Sequence, residues 1–476
     1  LLFYSFSPTF IAHSRYVTTD LAAAFGFFLG ITALVYYLES PNFKRLLICG
    51  AALGIALILK FSLALLGPLY IVISLLHVFL SELDYLRSTS DNWQRLKRVF
   101  TEGLIVTSRL LVIFAISGLV IILVYQFHVW NYPAERQVAD TLFNLSTFGF
   151  RPAADFAAFL ASTPGLRGLG EYALGLLMVA QRAGGGNTTY FLGEIYNMGW
   201  WYYFPIAYIL KEPLAFLLLI AISIFVALKS IFQAKEKSFG VVFEWMRDNF
   251  FLTAGLIFIA IYWLQSMKSP LNIGIRHVLP TYPFIFILVS REIVRWVKSY
   301  SLNEPANFWE RLFAIYERCR KSLPRYFTAG LLILWLVLSV MAAFPHYLSY
   351  YNELAGGSGR GYKYIVDSNY DWGQDLKRLR DFVEKNKIEK IAVDYFGGGS
   401  LPYYLGNKLV YWQSSKGRPN VGGGDPEWFA ISATFLQSAR AEPIKGFTKK
   451  PKDSYPWLEN TVPYARAGLS IFIYKF

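Results

Sequence analysis

Long apolar runs separated by short polar segments dominate the chain. A helix needs about 20 apolar residues to cross the hydrocarbon core of a bilayer, and several runs approach that length. We therefore predict an α-helical polytopic membrane protein, with a tight surface turn at residues 60–62. A shorter apolar run opens the chain at residues 1–11. The predicted spans are residues 21–38, 46–60, 62–80, 108–127, 213–229, 250–266, 277–294 and 327–344.

The pattern changes after residue 344. Glycine clusters at residues 397–399 and 422–424 indicate turns, and a polar helix is predicted to end near Lys387. Segments rich in β-branched and aromatic residues indicate strands. The strands are predicted at residues 391–395, 428–433 and 469–474.

Two domains follow from these patterns. Residues 1–344 form a multi-span membrane domain, and residues 345–476 form a small α/β domain. Inside the first domain, residues 128–212 are predicted as one long loop. Loops of that length usually carry function.

The charges bear on orientation and on partners. Only 16% of the residues are charged, the net charge is +14, and the mean hydropathy is +0.36. Basic residues are concentrated in alternate connections, which should therefore face the cytoplasm, and this use of the charge argues against nucleic-acid binding. The basic connections are residues 44–45, 87–98, 229–237 and 291–325. The extracytoplasmic side then holds residues 12–20, 128–212, 267–276 and 345–476.

A polar stretch at residues 13–20 stands directly before the first complete span. It contains His13, Arg15, two threonines and Asp20. One interpretation is that Thr19 or Asp20 caps the helix, since an acceptor and a negative charge both suit a helix N-terminus. The other is that Asp20 faces a polar cavity at the membrane surface and takes part in chemistry there. The stretch alone leaves both open.

Aromatic residues are dense at residues 200–204, before another predicted span. They form either a membrane-interface belt or the floor of a groove for a lipid chain or a sugar. Lys211 follows them, and it either snorkels to the headgroups or meets a lipid phosphate. The aromatic residues in question are Trp200, Trp201, Tyr202, Tyr203 and Phe204.

The connection around Arg276 also contains Lys268 and His277. A cation at the start of a helix opposes the helix dipole, so Arg276 should have an anionic partner. That partner is either a carboxylate such as Glu194 or a phosphate, which guanidinium binds through paired hydrogen bonds.

Three aspartates near the start of the C-terminal domain are four residues apart. Asp367, Asp371 and Asp375 would share a face if a helix joined them. Helix capping or a surface contact is favoured over a Ca²⁺ site, because the spacing lacks the closing glutamate of an EF-hand. The two cysteines, Cys49 and Cys319, show neither metal-binding nor disulfide spacing.

Together these motifs resemble one family. The chain is similar to polyprenyl-phosphate-sugar-dependent glycosyltransferases of the dolichyl-phosphate-mannose–protein mannosyltransferase type, family 39, which have the GT-C membrane fold. The matching segments are residues 7–20, 193–213, 272–280, 345–353 and 367–376.

The resemblance implies transfer of mannose or a similar sugar from a polyprenyl-phosphate carrier to a hydroxyl of a protein, lipid or glycan, on the extracytoplasmic face. It implies an integral membrane protein, which would lie in the plasma membrane if the source is a bacterium or an archaeon. Asp20 matches the second acid of the family. The main catalytic acid is expected before Leu1, where the chain opens within an apolar run and without an initiator Met.

The remaining roles follow from the same resemblance. The resemblance does not assign a definite cofactor, and a divalent metal is left open. Arg276, Lys211, Lys268 and His277 would bind the donor phosphate. The substrate groove would include Arg15, Glu194, Trp200, Trp201, Tyr202 and Tyr203. The matching residues of the outer domain are Asn352, Asp367, Asn369, Asp371, Trp372, Gln374 and Asp375.

The alternative class is a transporter or lipid flippase. Transporters tend to have internal repeats and ionisable residues near the bilayer midplane. Here the halves show no repeat, and the ionisable residues cluster at one rim. The pattern therefore favours an enzyme.

Overall fold

The computed structural model describes residues 1–16, 18–232, 239–298, 308–448 and 455–476. Residue 17 of the polar stretch and the basic residues Lys235 and Lys237 lie outside these ranges. The described chain is mostly helical. Its α-helices are α1 Leu2–Ser5, α2 Pro8–Ser14, α3 Asp20–Glu39, α4 Phe43–Leu59, α5 Leu66–Ser81, α6 Leu83–Ser88, α7 Asn92–His128, α8 Ala134–Asn144, α9 Arg151–Ser162, α10 Arg167–Gly184, α11 Tyr203–Lys211, α12 Leu214–Phe232, α13 Phe239–Asp248, α14 Phe250–Lys268, α15 Tyr282–Lys298, α16 Phe308–Ala342, α17 Leu376–Lys385, α18 Leu401–Leu405 and α19 Ala433–Arg440.

Seven helices within the described ranges are long and apolar enough to cross a membrane. They comprise α3, α7, α12, α14 and α16, together with α5 and α15, each of which continues a short 3₁₀ helix. The predicted span at residues 46–60 is α4, which has 17 residues and packs between α3 and α7. Residues 1–11 do not form one helix, because α1 ends at Ser5 and Ser7 caps a new helix that begins at Pro8.

The prediction of one long loop at residues 128–212 is wrong. The segment folds into α8, α9, α10 and α11, with a short hairpin between the last two. Glycines allow these helices to pack closely: a Cβ at Gly170 would lie 2.5 Å from the backbone of Ala161 in α9. The apolar positions of α9 and α10 recur at helical spacing and face neighbouring helices, which is the pattern of amphipathic helices.

The C-terminal part contains a five-stranded sheet. Each strand predicted from the sequence is present within two residues, and two further short strands lie at or beside the edges. Strand β3 pairs in parallel with β4 and β5, and β8 pairs antiparallel with β5 and β7. The strands are β1 Thr189–Phe191, β2 Glu194–Tyr196, β3 Ile391–Asp394, β4 Leu409–Tyr411, β5 Trp428–Ser432, β6 Glu442–Pro443, β7 Ala465–Ala467 and β8 Ile471–Lys475. The sheet order is β4-β3-β5-β8-β7.

Short 3₁₀ helices connect many of these elements. Three of them are Phe61–Leu65, Ile275–Thr281 and Asp367–Asn369. The others are Tyr347–Ser349, Glu353–Ala355, Gly361–Lys363, Gly406–Lys408, Ser414–Lys416, Val421–Gly423 and Pro456–Leu458.

Polar contacts attach the C-terminal part to α11. The side-chain amide of Asn352 donates to the carbonyls of Ile209, at 2.6 Å, and Glu212, at 2.8 Å. These are carbonyls that the end of α11 would otherwise leave without a partner. An apolar core runs across the same junction, from Phe204 of α11 to Phe429 of β5. Strand β6 also pairs with β2 of the hairpin.

Candidate active site

Asp20 lies between two cations at the start of α3. Its Oδ1 accepts a hydrogen bond from Lys60 Nζ at 2.7 Å, and its Oδ2 lies 3.3 Å from Arg276 Nη1. The carboxylate is 2% exposed, whereas the side chains of Lys60 and Arg276 are 26% and 17% exposed. Within the described chain Thr19 makes no side-chain cap hydrogen bond, so capping by Thr19 is wrong, whereas Asp20 lies in the first turn of α3, where a negative charge suits the helix dipole. Asp20 also joins three distant segments.

Lys60 reaches this position through the predicted tight turn. Helix α4 ends at Leu59, Lys60 is extended, and a 3₁₀ helix begins at Phe61. Because the turn is short, Lys60 stays at the end of α4, where its ammonium contacts Asp20. The prediction overlooked Lys60, and its one signal was a cation at a turn between two apolar runs.

Arg276 is positioned by the C-terminal part of the chain. The side-chain oxygen of Asn369 accepts a hydrogen bond from the Ile275 backbone N–H at 2.9 Å. The Ser368 hydroxyl donates to the carbonyl of Ile273. A side chain would not fit at Gly274, because its φ is +149° and a Cβ would lie 2.3 Å from Ser368 Oγ. The motif around residues 367–369 therefore serves to hold the loop that carries Arg276.

Trp372 covers the guanidinium of Arg276. The guanidinium carbon is 4.4 Å from the ring centroid, within the range of a cation–π contact. His13 and Tyr16 approach the same ring edge-on, with centroids 6.0 and 5.4 Å from that of Trp372. The first polar stretch and the loop that carries Trp372 thus meet around Arg276.

Several buried polar atoms here have no hydrogen-bond partner within the described ranges. They are His13 Nδ1, Tyr16 Oη, Arg276 Nε and His277 Nε2. Such atoms are rare in folded proteins and often mark functional sites. Burial lowers the pKa of His13 to about 3, with the charge of Asp20 acting in the opposite direction. The His13 imidazole is therefore neutral at pH 7.

A groove of about 660 Å³ opens beside the cations. Its polar end is formed by Thr19, Lys60, Arg276 and His277, and Tyr262 lies along it. Its wall is mainly apolar and comes from α10, the 3₁₀ helix Phe61–Leu65 and the start of α5, through Leu65, Pro68, Leu176, Val179, Ala180 and Ala183. A site of this kind can bind an anionic head group and an apolar chain together.

The aromatic residues 200–204 do not form one continuous groove floor. Trp200, Tyr203 and Phe204 are buried, Tyr202 is half-buried, and Trp201 is 66% exposed. Phe204 is the member that lines the described groove. The Tyr203 hydroxyl accepts a hydrogen bond from the Asn369 amide at 2.9 Å. Most of these side chains therefore pack at the junction between domains.

Lys211 is buried, with 3% of its side chain exposed. Its ammonium donates to the carbonyls of Leu348, at 2.7 Å, and Asn369, at 2.5 Å, and lies 4.7 Å from the ring centroid of Tyr351. Burial lowers the pKa of Lys211 to about 7. Neighbouring Glu212 accepts hydrogen bonds from Thr9, at 3.0 Å, and Tyr282, at 2.8 Å, and burial raises its pKa to about 7. These contacts favour a structural role for Lys211, and its phosphate role stays a prediction.

Three other predicted residues lie outside this cluster. Lys268, at the end of α14, Arg15 and Glu194 are all exposed. The guanidinium of Arg15 lies 5.6 Å from the ring centroid of Tyr16. Glu194 belongs to β2, and the carboxylate partner of Arg276 is Asp20 instead. Their proposed roles in substrate binding stay predictions.

The helical face predicted for the three aspartates is not formed. Asp367 lies in a 3₁₀ helix, and α17 begins only at Leu376. Asp371 accepts from the backbone N–H of Thr434, and Asp375 accepts from those of Leu469 and Ser470 at 3.0 and 2.9 Å. The three side chains therefore anchor loops of the α/β domain.

Gln374 has a comparable structural role. Its amide donates to the Tyr370 carbonyl at 2.8 Å and to the Ser349 hydroxyl at 3.1 Å, while its oxygen accepts from the Trp372 backbone N–H at 2.8 Å. These bonds fix the loop that presents Trp372 to Arg276.

The donor set around Asp20 does not suit a divalent cation. Each of its oxygens faces a positively charged side chain. The described residues contain no group of three or more His, Cys, Asp or Glu side chains arranged to hold a metal. The residues around Asp20 therefore give no support to a metal-dependent step.

The described chain is mostly helical, with seven candidate membrane-spanning helices and a small sheet in its C-terminal part, which is consistent with a polytopic membrane protein of the GT-C type. Residues 1–89 match the family model described as dolichyl-phosphate-mannose-protein mannosyltransferase, and they include both Asp20 and Lys60. Over these residues the match confirms the family resemblance, and it supports a membrane glycosyltransferase of the mannosyltransferase type. No match was found among curated proteins or among solved structures.

Proposed function

We propose that the groove binds a polyprenyl-phosphate sugar and that the protein transfers the sugar to an acceptor hydroxyl. The carrying observation is that Lys60 and Arg276 converge at the polar end of a groove whose wall is apolar. The phosphate would lie against the two cations, both of which keep some exposure. The isoprenoid chain would follow the wall formed by α10 and α5.

The donor phosphate is also the leaving group. The acceptor oxygen forms a bond to the anomeric carbon, while the bond between that carbon and the phosphate oxygen breaks. The electron pair stays on the phosphate, so its negative charge grows in the transition state. Cations already in position stabilise such developing charge without reorganising. Arg276 offers several donors in a fixed plane, and Lys60 acts as a point charge.

Asp20 acts in this proposal as a positioning residue. Its carboxylate holds both cations at the groove and lowers the repulsion between them. The proton of the acceptor hydroxyl passes to a carboxylate base. The family resemblance assigns this role to an acid other than Asp20.

The finer assignments depend on the family and on charge distribution. The sugar is mannose or a similar hexose, and the acceptor is a hydroxyl of a protein, lipid or glycan. The extracytoplasmic orientation is supported by the basic residues concentrated in the opposite connections.

The test uses the full-length protein in proteoliposomes with radiolabelled polyprenyl-phosphate mannose. Removing one charge-stabilising donor typically lowers kcat by about 10²–10³-fold. We expect losses of this order for Lys60→Ala and Arg276→Ala. Lys377→Ala is the matched control, because this exposed lysine of α17 does not line the described groove, and it should retain activity.

Two results would overturn the proposal. One is equal activity losses in Lys60→Ala and Lys377→Ala, which would separate activity from the groove. The other is movement of the labelled lipid across the bilayer with no sugar leaving the carrier, which would indicate a flippase.

A further inference from the structure

A second cavity of about 750 Å³ lies in the C-terminal part of the chain. It opens where β3, β4 and β5 end, and it is lined by Asp394 at the end of β3, Gln413 after β4 and Thr434 after β5. These three strands are parallel, so their carboxyl ends share one edge of the sheet. In open α/β sheets, that edge is where ligands usually bind. The volume is within the usual range for small-molecule pockets, about 300–1,000 Å³.

The described lining is rich in neutral hydrogen-bonding groups. They are hydroxyls and amides from separate segments: Asn187, Thr188, Gln413, Ser414, Ser415, Thr434 and Ser438. Within the described chain, the hydroxyls of Ser414 and Ser438 form no side-chain hydrogen bond with the protein. Hydroxyls can both donate and accept, so this lining suits a ligand that presents many hydroxyls.

Two carboxylates face the same space. Asp394 accepts a hydrogen bond from the Tyr455 hydroxyl, and Asp367 accepts one from the Ser368 backbone N–H at 2.5 Å. Burial raises the pKa of each aspartate to about 6. A carboxylate is a strong acceptor for ligand hydroxyls and repels anions.

Aromatic rings complete the lining. Phe396 and Phe435 are half-buried and meet edge-to-face, with centroids 5.6 Å apart, and Phe447 is also half-buried. The negative face of an aromatic ring attracts weakly polarised C–H groups. The C–H faces of a pyranose ring are of this kind.

We infer that this cavity binds a neutral saccharide. Its carboxylates, hydroxyls and amides pair with sugar hydroxyls, and its phenyl rings cover the C–H faces of the sugar. A phosphate or another anion would meet two carboxylates in the described lining. An apolar ligand would leave many polar groups without partners, which is costly.

The cavity is connected to the candidate active site through three consecutive residues. Asp367 lines the cavity, while Ser368 and Asn369 hold the loop before Arg276. Asp367 has a φ of +56°, and its backbone N–H donates to Thr434 Oγ1 at 3.1 Å. A saccharide would therefore contact the segment that positions Arg276. This connection to catalysis rests on the proposed function, but saccharide binding itself does not.

The experiment measures binding directly, with the full chain in lipid nanodiscs and mannobiose or maltotriose as probes. We expect at least tenfold weaker binding for Ser438→Tyr, which fills the cavity from α19, and for Asp394→Asn, which keeps the side-chain shape. Glu389→Gln is the control, because Glu389 is exposed and lies outside the described lining. Circular dichroism and gel filtration verify that each variant is folded.

The outcomes separate this inference from the catalytic proposal. Lys60→Ala should lose transfer activity and still bind the probes. Binding that persists in both cavity variants would overturn the inference, as would the absence of binding to either saccharide by the unmodified protein. Tighter binding of inorganic phosphate than of either sugar would also overturn it.

Discussion

Replacing Asp20 by Asn tests the cluster at the centre of the proposal. The substitution keeps the shape of the side chain and removes its charge, so Lys60 and Arg276 face each other without a counter-ion. Removing one partner from a buried ion pair costs about 3–5 kcal/mol. Because Lys60 and Arg276 remain 26% and 17% exposed, water reduces the penalty. We therefore expect the free energy of unfolding to fall by about 3 kcal/mol.

A double-mutant cycle separates charge repulsion from the loss of a hydrogen bond. In Asp20→Asn/Lys60→Met, one of the two unpaired cations is gone and Arg276 can still donate to the new amide. Residues that share such a cluster usually couple by about 0.5–3 kcal/mol. We expect the double variant to recover about 1–2 kcal/mol of the stability that Asp20→Asn loses. It should remain inactive, because Lys60 is needed at the donor phosphate.

The assay is the free energy of unfolding in mixed micelles, measured by titration with a denaturing detergent. The matched control is Asp155→Asn, which breaks an ion pair with Arg151 in which the aspartate is 65% exposed. Exposed pairs contribute little, so this variant should be close to the unmodified protein. The reasoning is refuted if Asp20→Asn is equally stable, or if adding Lys60→Met lowers the stability further.

Three further predictions concern the surroundings of the site. Trp372→Ala should lower kcat/KM by the equivalent of about 0.5–2 kcal/mol, because it removes the ring over Arg276. Trp372→Phe keeps an aromatic ring and should retain most activity. Equal losses in the two variants would contradict the cation–π contact. Burial raises the pKa of Asp371 to about 7. The folded state therefore retains a proton that the unfolded state releases near pH 4, so the free energy of unfolding should fall as pH rises from about 4 to 7. Asp371→Asn should flatten that slope, as measured by unfolding at several pH values, and an unchanged slope would contradict the assignment. In right-side-out vesicles, a membrane-impermeant maleimide should label exposed Cys319 only after the vesicles are permeabilised. Buried Cys49 should not be labelled in either condition. Labelling of Cys319 in intact vesicles would reverse the proposed orientation.

The membrane helices were predictable because their signal is local. A bilayer-spanning helix must be apolar along its length, so the runs that became α3, α5, α7 and α12 are visible without tertiary information. The strands of the C-terminal sheet were recognised for a similar reason, as short buried segments bounded by glycine turns. The helices between residues 128 and 212 were overlooked because amphipathic helices carry fewer apolar residues and do not form runs.

The candidate site was only partly predictable. The helix-dipole argument required an anion beside Arg276 and suggested Glu194 or a phosphate, whereas the structure places Asp20 there. Lys60 was not predicted as a site residue, since a single cation in a turn is usually a surface residue. Lys211 looked like a phosphate ligand, although its ammonium is turned to backbone carbonyls at the junction between domains.

The sequence by itself determined the class of protein, the positions of the spanning helices and the family to which residues 1–89 are matched. Tertiary structure decided which charges meet. Asp20, Lys60 and Arg276 belong to three segments far apart along the chain, and no periodic pattern encodes their separation. Pairing between them depends on helix packing and on the docking of residues 367–369, because electrostatic partners are selected by distance in space.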